Sequence, residues 1–285
     1  MAGAGLIAIK RRVKSITNTK KITKAMSLVA TAKLRKSRGK LIINENYFSC
    51  CKEVVKEILY NYNGDSIYTK GNTSDKKLYI VFTSDTGLCG SFNGTIVNLA
   101  IGEIGEDKDN CLVMVVGIRG KGYFNKLKYE TVAEYVDVPD LPTIKEAEEI
   151  TRHALELYKK GMVGEIYIVF TQFISAVKQT PSIEKLLPID TEMPKQYQYG
   201  EFITFEPKIM DLIEDSMYLY IKEQIFNRML NSKASEQSAR MSSMDGATKN
   251  ANDLLDSLNL LYNRIRQSSI TREISEIVGG AEAQK

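Results

Sequence analysis

Residues 247–268 read ATKNANDLLDSLNLLYNRIRQS, and within them Ala247, Ala251, Leu254, Leu258, Leu261, Ile265 and Ser268 step by 4, 3, 4, 3, 4, 3. This is heptad spacing, which marks a helix that packs lengthwise on another helix. The stretch sits inside a longer one without breakers: from Lys208 to Val278 there is no proline and one glycine, Gly246. The other end of the chain matches it, with no proline and only Gly39 from Leu6 to Asn63. Proline and glycine are the strongest punctuators of local structure, so both ends are read as long helices. At a rise of 1.5 Å per residue they would measure about 80 Å and 105 Å, well beyond the roughly 30 Å of a small domain. An isolated helix of that kind is poorly stabilised, so the two are expected to pack on each other as an antiparallel coiled coil.

In the N-terminal helix Leu6, Ile9, Val13 and Ile16 step by 3, 4, 3. Lys20 interrupts this register, and a second stripe of Ile22, Met26 and Val29 is expected to take over. Small residues such as Ala25, Ala30, Ala234 and Ala239 let backbones approach closely. Between the helices the texture changes. All six prolines lie between Pro139 and Pro207, and Leu78–Thr83, Cys111–Val116 and Glu165–Phe170 are short apolar runs rich in β-branched residues. Such runs fit strands buried on both faces of a parallel sheet. Helix-like stretches at Gly94–Ile104, Gly120–Leu127 and Ile144–Lys160 alternate with them, which predicts an α/β domain inserted between the terminal helices.

Charge is distributed unevenly. The formal net charge is +4, yet residues 1–40 hold twelve Lys or Arg and no Asp or Glu. Residues 61–207 hold fifteen basic and twenty-one acidic side chains. The basic arm suits an acidic partner: nucleic acid, an anionic membrane or an acidic protein surface, with a cleavable transit peptide as a further reading. No aromatic residue precedes Tyr47, so a base-stacking platform is lacking. Apolar runs reach about half a dozen residues where a membrane span needs about 20, so no transmembrane segment is expected.

Candidate chemistry is sparse. Cys50, Cys51, Cys89 and Cys111 show no CxxC spacing, which suits a reducing compartment, and His153 is the single histidine. Ser84–Asn93 (SDTGLCGSFN) follows the first strand but lacks the spacing of a phosphate loop, and Gly117–Gly122 runs opposite to the dinucleotide fingerprint. Both are read as tight turns, Cys89 as a buried small hydrophobe and His153 as a helix-surface residue. No cofactor, metal site or catalytic residue is assigned.

Two terminal segments and this loop carry a family resemblance. Ile22–Lys36 (ITKAMSLVATAKLRK), Glu236–Met241 (EQSARM) and Leu261–Ala281 (LYNRIRQSSITREISEIVGGA) resemble the end helices of the gamma subunit of F-type rotary ATP synthase, and Ser84–Asn93 resembles its SDxGLCGxxN segment. Thr86 departs from it, since the family commonly has a basic residue there. The resemblance implies a division into coiled-coil helices at residues 1–62 and 208–285 and a Rossmann-like α/β foot at 75–195. It implies a central rotor shaft inside a ring of three alpha and three beta subunits. That shaft would couple proton or sodium flow to ATP synthesis or hydrolysis on beta, with no chemistry of its own. Epsilon and the membrane c-ring would be the other partners, and nucleic acid none. Lys24, Met26, Arg240, Arg266, Gln267, Thr271 and Glu273 match positions of beta contact or coupling, and Phe205 and Glu206 a c-ring contact. The place implied is the cytoplasmic face of a bacterial membrane, bound peripherally, with the match at the first turns of the chain against a transit peptide.

Overall fold

The computed structural model describes residues 2–62, 64, 66–189, 206 and 209–282. It divides into two compact units, Met1–Ala30 with Met241–Lys285, and Thr31–Arg240. Two long helices, α1 (Ala2–Asn61) and α6 (Ile209–Glu282), contribute to both units, as the missing breakers predict.

The second unit holds a five-stranded sheet in the order β3-β2-β1-β4-β5. Its strands are β1 (Lys77–Phe82), β2 (Cys111–Val116), β3 (Thr131–Tyr135), β4 (Glu165–Phe173) and β5 (Gln179–Leu187). The first four are parallel, and β5 returns antiparallel to β4. Helices α3 (Phe92–Ile104), α4 (Ile118–Lys126) and α5 (Ile144–Lys159) make the crossovers, and a single turn, α2 (Ile67–Lys70), precedes the sheet. The three apolar runs form the central strands because both sheet faces are covered. Leu78, Ile80, Phe82, Ile166, Ile168 and Phe170 point to one face, under α5 and the parts of α1 and α6 in this unit. Tyr79, Val81, Val113 and Val115 point to the other, under Ile96, Val97 and Ala100 of α3 and Phe124 of α4.

Two strands were not expected from the sequence. β3 is a half-exposed edge, and β5 (QTPSIEKLL) carries a proline and two charges. Pro181 is tolerated because β5 pairs only with β4, so its missing N–H falls on an edge strand. The sheet is therefore mixed rather than purely parallel.

In the first unit α1 and α6 run antiparallel. The Thr23 and Thr248 hydroxyls lie 2.7 Å apart, and Ser27 Oγ donates to Asp245 Oδ1 at 2.6 Å. The seam differs from the expected one in both helices. On α1 it passes without a break through Leu6, Ile9, Val13, Ile16, Lys20, Thr23, Ser27 and Ala30. Lys20 does not interrupt the register. Thr23 and Ser27 occupy it as buried polar residues bonded across the seam, while Ile22 and Val29 are 59% and 54% exposed. On α6 the shielded line is Met244, Thr248, Ala251, Leu255, Leu258, Tyr262, Ile265 and Ser269. It shares Ala251, Leu258 and Ile265 with the expected seam but passes through Leu255 and Tyr262, leaving Leu254 and Leu261 outside it.

Candidate functional site

In a parallel α/β sheet the crevice beyond the carboxyl ends of the strands is where ligands bind. Here the turn after β1 closes on itself. Ser84 N donates to Asn93 Oδ1 at 2.9 Å, and Asn93 Nδ2 donates to Ser84 Oγ at 2.7 Å and Cys89 Sγ at 3.3 Å. Leu88 and Gly90 take positive φ, 63° and 60°, to complete the turn. The turn after β2 is equally committed, with Arg119 N donating to Ser84 O at 3.0 Å and Gly120 N to Thr83 Oγ1 at 2.9 Å. A phosphate loop needs its backbone N–H groups aimed at the ligand; those of Ser84, Gly117, Ile118, Arg119 and Gly120 are spent within the chain. Cys89 is buried, as expected. His153 is half-buried, its Nδ1 3.2 Å from the Tyr135 hydroxyl. Among the described residues no group of three or more His, Cys, Asp or Glu is placed to hold a metal.

The crevice is occupied by the chain's own α6. Residues 231–240, NSKASEQSAR, have no side chain both apolar and larger than alanine, yet every one is buried except half-buried Ala239. Burying polar groups is costly unless they are bonded, and the strand ends supply the bonds. Ser232 Oγ accepts from Thr171 N at 3.2 Å, and Asn231 Oδ1 from Phe173 N at 3.2 Å. Ser235 Oγ donates to Thr171 O and Ser238 Oγ to Ala176 O, at 3.1 and 2.7 Å.

A balanced charge cluster lies at the upper end of this stretch. Lys233 Nζ is 3.4 Å from Glu236 and 3.8 Å from Asp85, and Arg240 bonds Glu236 at 2.8 Å. Arg240 also donates to Thr86 O at 3.0 Å, Thr86 Oγ1 at 2.8 Å and Gly87 O at 3.3 Å. Thr86 thus presents an acceptor where a basic residue would set a second cation against the guanidinium. Of the residues matched by resemblance, Arg240 is buried and bonded within the chain. Lys24, Arg266, Gln267, Thr271 and Glu273 are exposed on the two long helices, and Met26 is half-buried. Thr271 Oγ1 donates to Gln267 O at 3.0 Å and Ser269 Oγ to Glu273 Oε1 at 3.5 Å, both along α6. Glu206 is exposed, and Phe205 lies outside the described residues. Asp85, Asp140, Lys233 and Glu236 were missed by sequence reasoning. The available signal was a ten-residue helical segment with no apolar side chain beyond alanine.

A family model described as ATP synthase matches residues 5–284. The ATP synthase gamma chain of Clostridium pasteurianum is 57% identical over 282 residues, 99% of each chain. That of Clostridium acetobutylicum is 55% identical over 285 residues, the whole of both. The chain belongs to the ATP synthase gamma family. Solved relatives share the fold. The rotor of Euglena gracilis mitochondrial ATP synthase superposes with a TM-score of 0.72 at 16% identity, covering 94% of this chain and 99% of that one. A chain of the OSCP/F1/c-ring assembly from the same organism gives 0.73 at 16% identity, covering 99% and 95%. Membership in this family agrees with the α/β domain between long terminal helices, and among the described residues no helix is long and apolar enough to cross a membrane.

Proposed function

We propose that this chain is the central shaft of the catalytic head of a rotary ATP synthase. It turns inside a ring of three alpha and three beta subunits and couples ion flow through the membrane c-ring to ATP synthesis or hydrolysis on beta. The observation that carries this reading is the identity to ATP synthase gamma chains over essentially the full length of both partners. Residues 1–62 and 208–285 then serve as the shaft, and residues 75–195 as the foot that works with epsilon and the c-ring at the cytoplasmic face of a bacterial membrane.

The faces of α1 and α6 support the reading. Of the twelve cations in residues 1–40, Lys33 alone forms a salt bridge among the described residues. The others near Lys24 are available to acidic segments of the ring, which favours charge-steered assembly. Ile22 and Val29 lie exposed beside Lys24 and half-buried Met26. Arg266, Gln267, Thr271 and Glu273 offer side chains to a beta loop, and Glu206 with Phe205 is assigned to the c-ring side. Arg240 acts on coupling from within, by holding the Thr86–Gly87 turn against α6.

The test is a tagged pull-down from nuclease-treated extract, with subunit ratios read by quantitative mass spectrometry. Three alpha and three beta per copy, with epsilon, is the expected result. Recovery of the chain alone, or with nucleic acid in place of these subunits, would refute the reading.

A further inference from the structure

The helices meet the α/β domain in two ways. Along Met217, Ile221, Ile225 and Met229 the contact of α6 with the sheet is apolar. Apolar contact is strong but non-directional, so it resists separation better than it resists slippage. At residues 231–240 the contact is made of directional bonds, and one carboxylate ties a residue of this stretch to the strand-end turns. Asp85 Oδ1 accepts from Ile118 N at 3.1 Å and from Asp137 N at 3.2 Å, which joins the turns after β1, β2 and β3. Asp85 Oδ2 faces Lys233 Nζ at 3.8 Å, and the same ammonium donates to Val138 O at 3.3 Å. Side-chain exposure is 8% for Lys233 and 15% for Asp85. A second carboxylate, Asp140, reaches both helices: Lys33 of α1 at 2.6 Å and Gln237 of α6 at 3.3 Å.

Replacing a buried ion pair with well-packed apolar residues often leaves stability unchanged or raises it, so stability alone does not account for this pair. What it adds is a fixed angular position of the helices against the three strand-end turns. We infer that Asp85 and Lys233, seconded by Asp140, are positioning residues for rotation: they fix the α/β domain to α1 and α6 so that turning force passes without slip. The inference rests on the rotor reading and adds the place where the load crosses.

The experiment uses the whole enzyme, with its own alpha, beta, epsilon and membrane sector, in inside-out vesicles where this chain is the only gamma subunit supplied. ATP hydrolysis and ATP-driven uptake of ions, protons or sodium, are measured together. Asp85→Asn keeps an acceptor for both backbone N–H groups and removes one of the two carboxylates facing Lys233, leaving Glu236 at 3.4 Å; Lys233→Met keeps the stem and removes the ammonium. Each is expected to lower the ratio of pumping to hydrolysis by about threefold or more, with subunit ratios unchanged and the deficit growing as the gradient builds. Lys233→Arg should restore the ratio, whereas the neutral pair D85N/K233M should not. Recovery in the neutral pair would mean that the singles suffered only from a charge imbalance in the Asp85–Lys233–Glu236–Arg240 cluster, and would overturn the inference. So would an unchanged ratio in either single. Should those variants fail to assemble, Asp140→Asn decides, because both Asp140 and its partner Lys33 are nearly half-exposed and the change is mild for folding. A ratio lowered about twofold supports the inference, and an unchanged one refutes it. Wild-type vesicles that do not pump would refute the rotor reading and this inference together. Wild-type pumping with unaltered variants would refute the inference alone.

Discussion

Gly117 holds φ at +103°, and a Cβ there would lie 2.5 Å from the Thr83 carbonyl oxygen. The turn after β2 therefore needs glycine for two reasons, a left-handed backbone and a close approach to β1. Gly117→Ala should cost about 2 kcal/mol or more, read as a lower unfolding midpoint of the assembled complex; an unchanged midpoint would mean the turn is not held as described. Glu223 is a second residue whose surroundings decide its behaviour. It is buried on α6, and Asn44 Nδ2 donates to it at 3.1 Å. Burial raises its pKa above the usual carboxylate range, and the Asn44 bond and Lys222 only partly oppose this. An acid with a raised folded pKa favours folding when protonated. Its cost is therefore complete above the folded pKa and vanishes below the ordinary carboxylate range. Glu223→Gln keeps an acceptor for Asn44 and should raise the thermal midpoint at pH 8, with the gain shrinking as pH falls through the raised folded pKa toward the ordinary carboxylate range. A gain independent of pH would contradict the assignment.

At the scale of the element, the seam of α1 and α6 shows what a heptad pattern leaves open. Leu254 and Leu255 are both leucine, and Leu261 stands beside Tyr262. Either line through these pairs has correct spacing, and only the partner helix selects Leu255 and Tyr262. On α1 the seam takes Lys20, Thr23 and Ser27, which a hydrophobic count reads as a break. Cross-seam bonds make Thr23 and Ser27 acceptable there, and pattern reading cannot see those bonds. Thr23→Val alone should destabilise by about 1 kcal/mol because Thr248 loses its partner across the seam and keeps only the Met244 carbonyl, while T23V/T248V should recover most of that, since an apolar pair leaves no hydroxyl facing a methyl group. A double-mutant cycle on unfolding midpoints checks this; additive losses would contradict it. A stronger break is available at Leu258. Leu258→Pro removes a helical hydrogen bond and clashes with the preceding turn, at about 3 kcal/mol or more. ATP synthesis should be uncoupled from ion flow, and normal coupled synthesis would contradict the role given to α6. The central strands were legible because burial on both faces writes continuous apolar runs; β3 and β5, at the edges, carry weaker text. The charged cluster was not legible, because Asp85, Asp140 and Lys233 lie far apart in sequence and look like solvated surface.

For the whole molecule, the uneven charge and the exposed apolar side chains of α1 and α6 make sense only in an assembly. A basic arm with twelve cations and no acid in forty residues needs acidic surroundings. Ile274, Ile277 and Val278 near the end of α6 are more than half exposed in the isolated chain, an apolar group of the kind that marks a contact surface. The crevice where a related sheet would hold a ligand is filled by α6 itself, which turns a ligand-binding architecture into a mount for a helix. Rotation is the claim on which these points converge. The most direct measurement is to anchor the alpha–beta ring to a surface, attach a bead at Cys50, which is exposed, and watch it while ATP is hydrolysed. The account predicts one-way turning with three dwells per revolution, one for each beta site. Sustained hydrolysis with a bead that does not turn would contradict it.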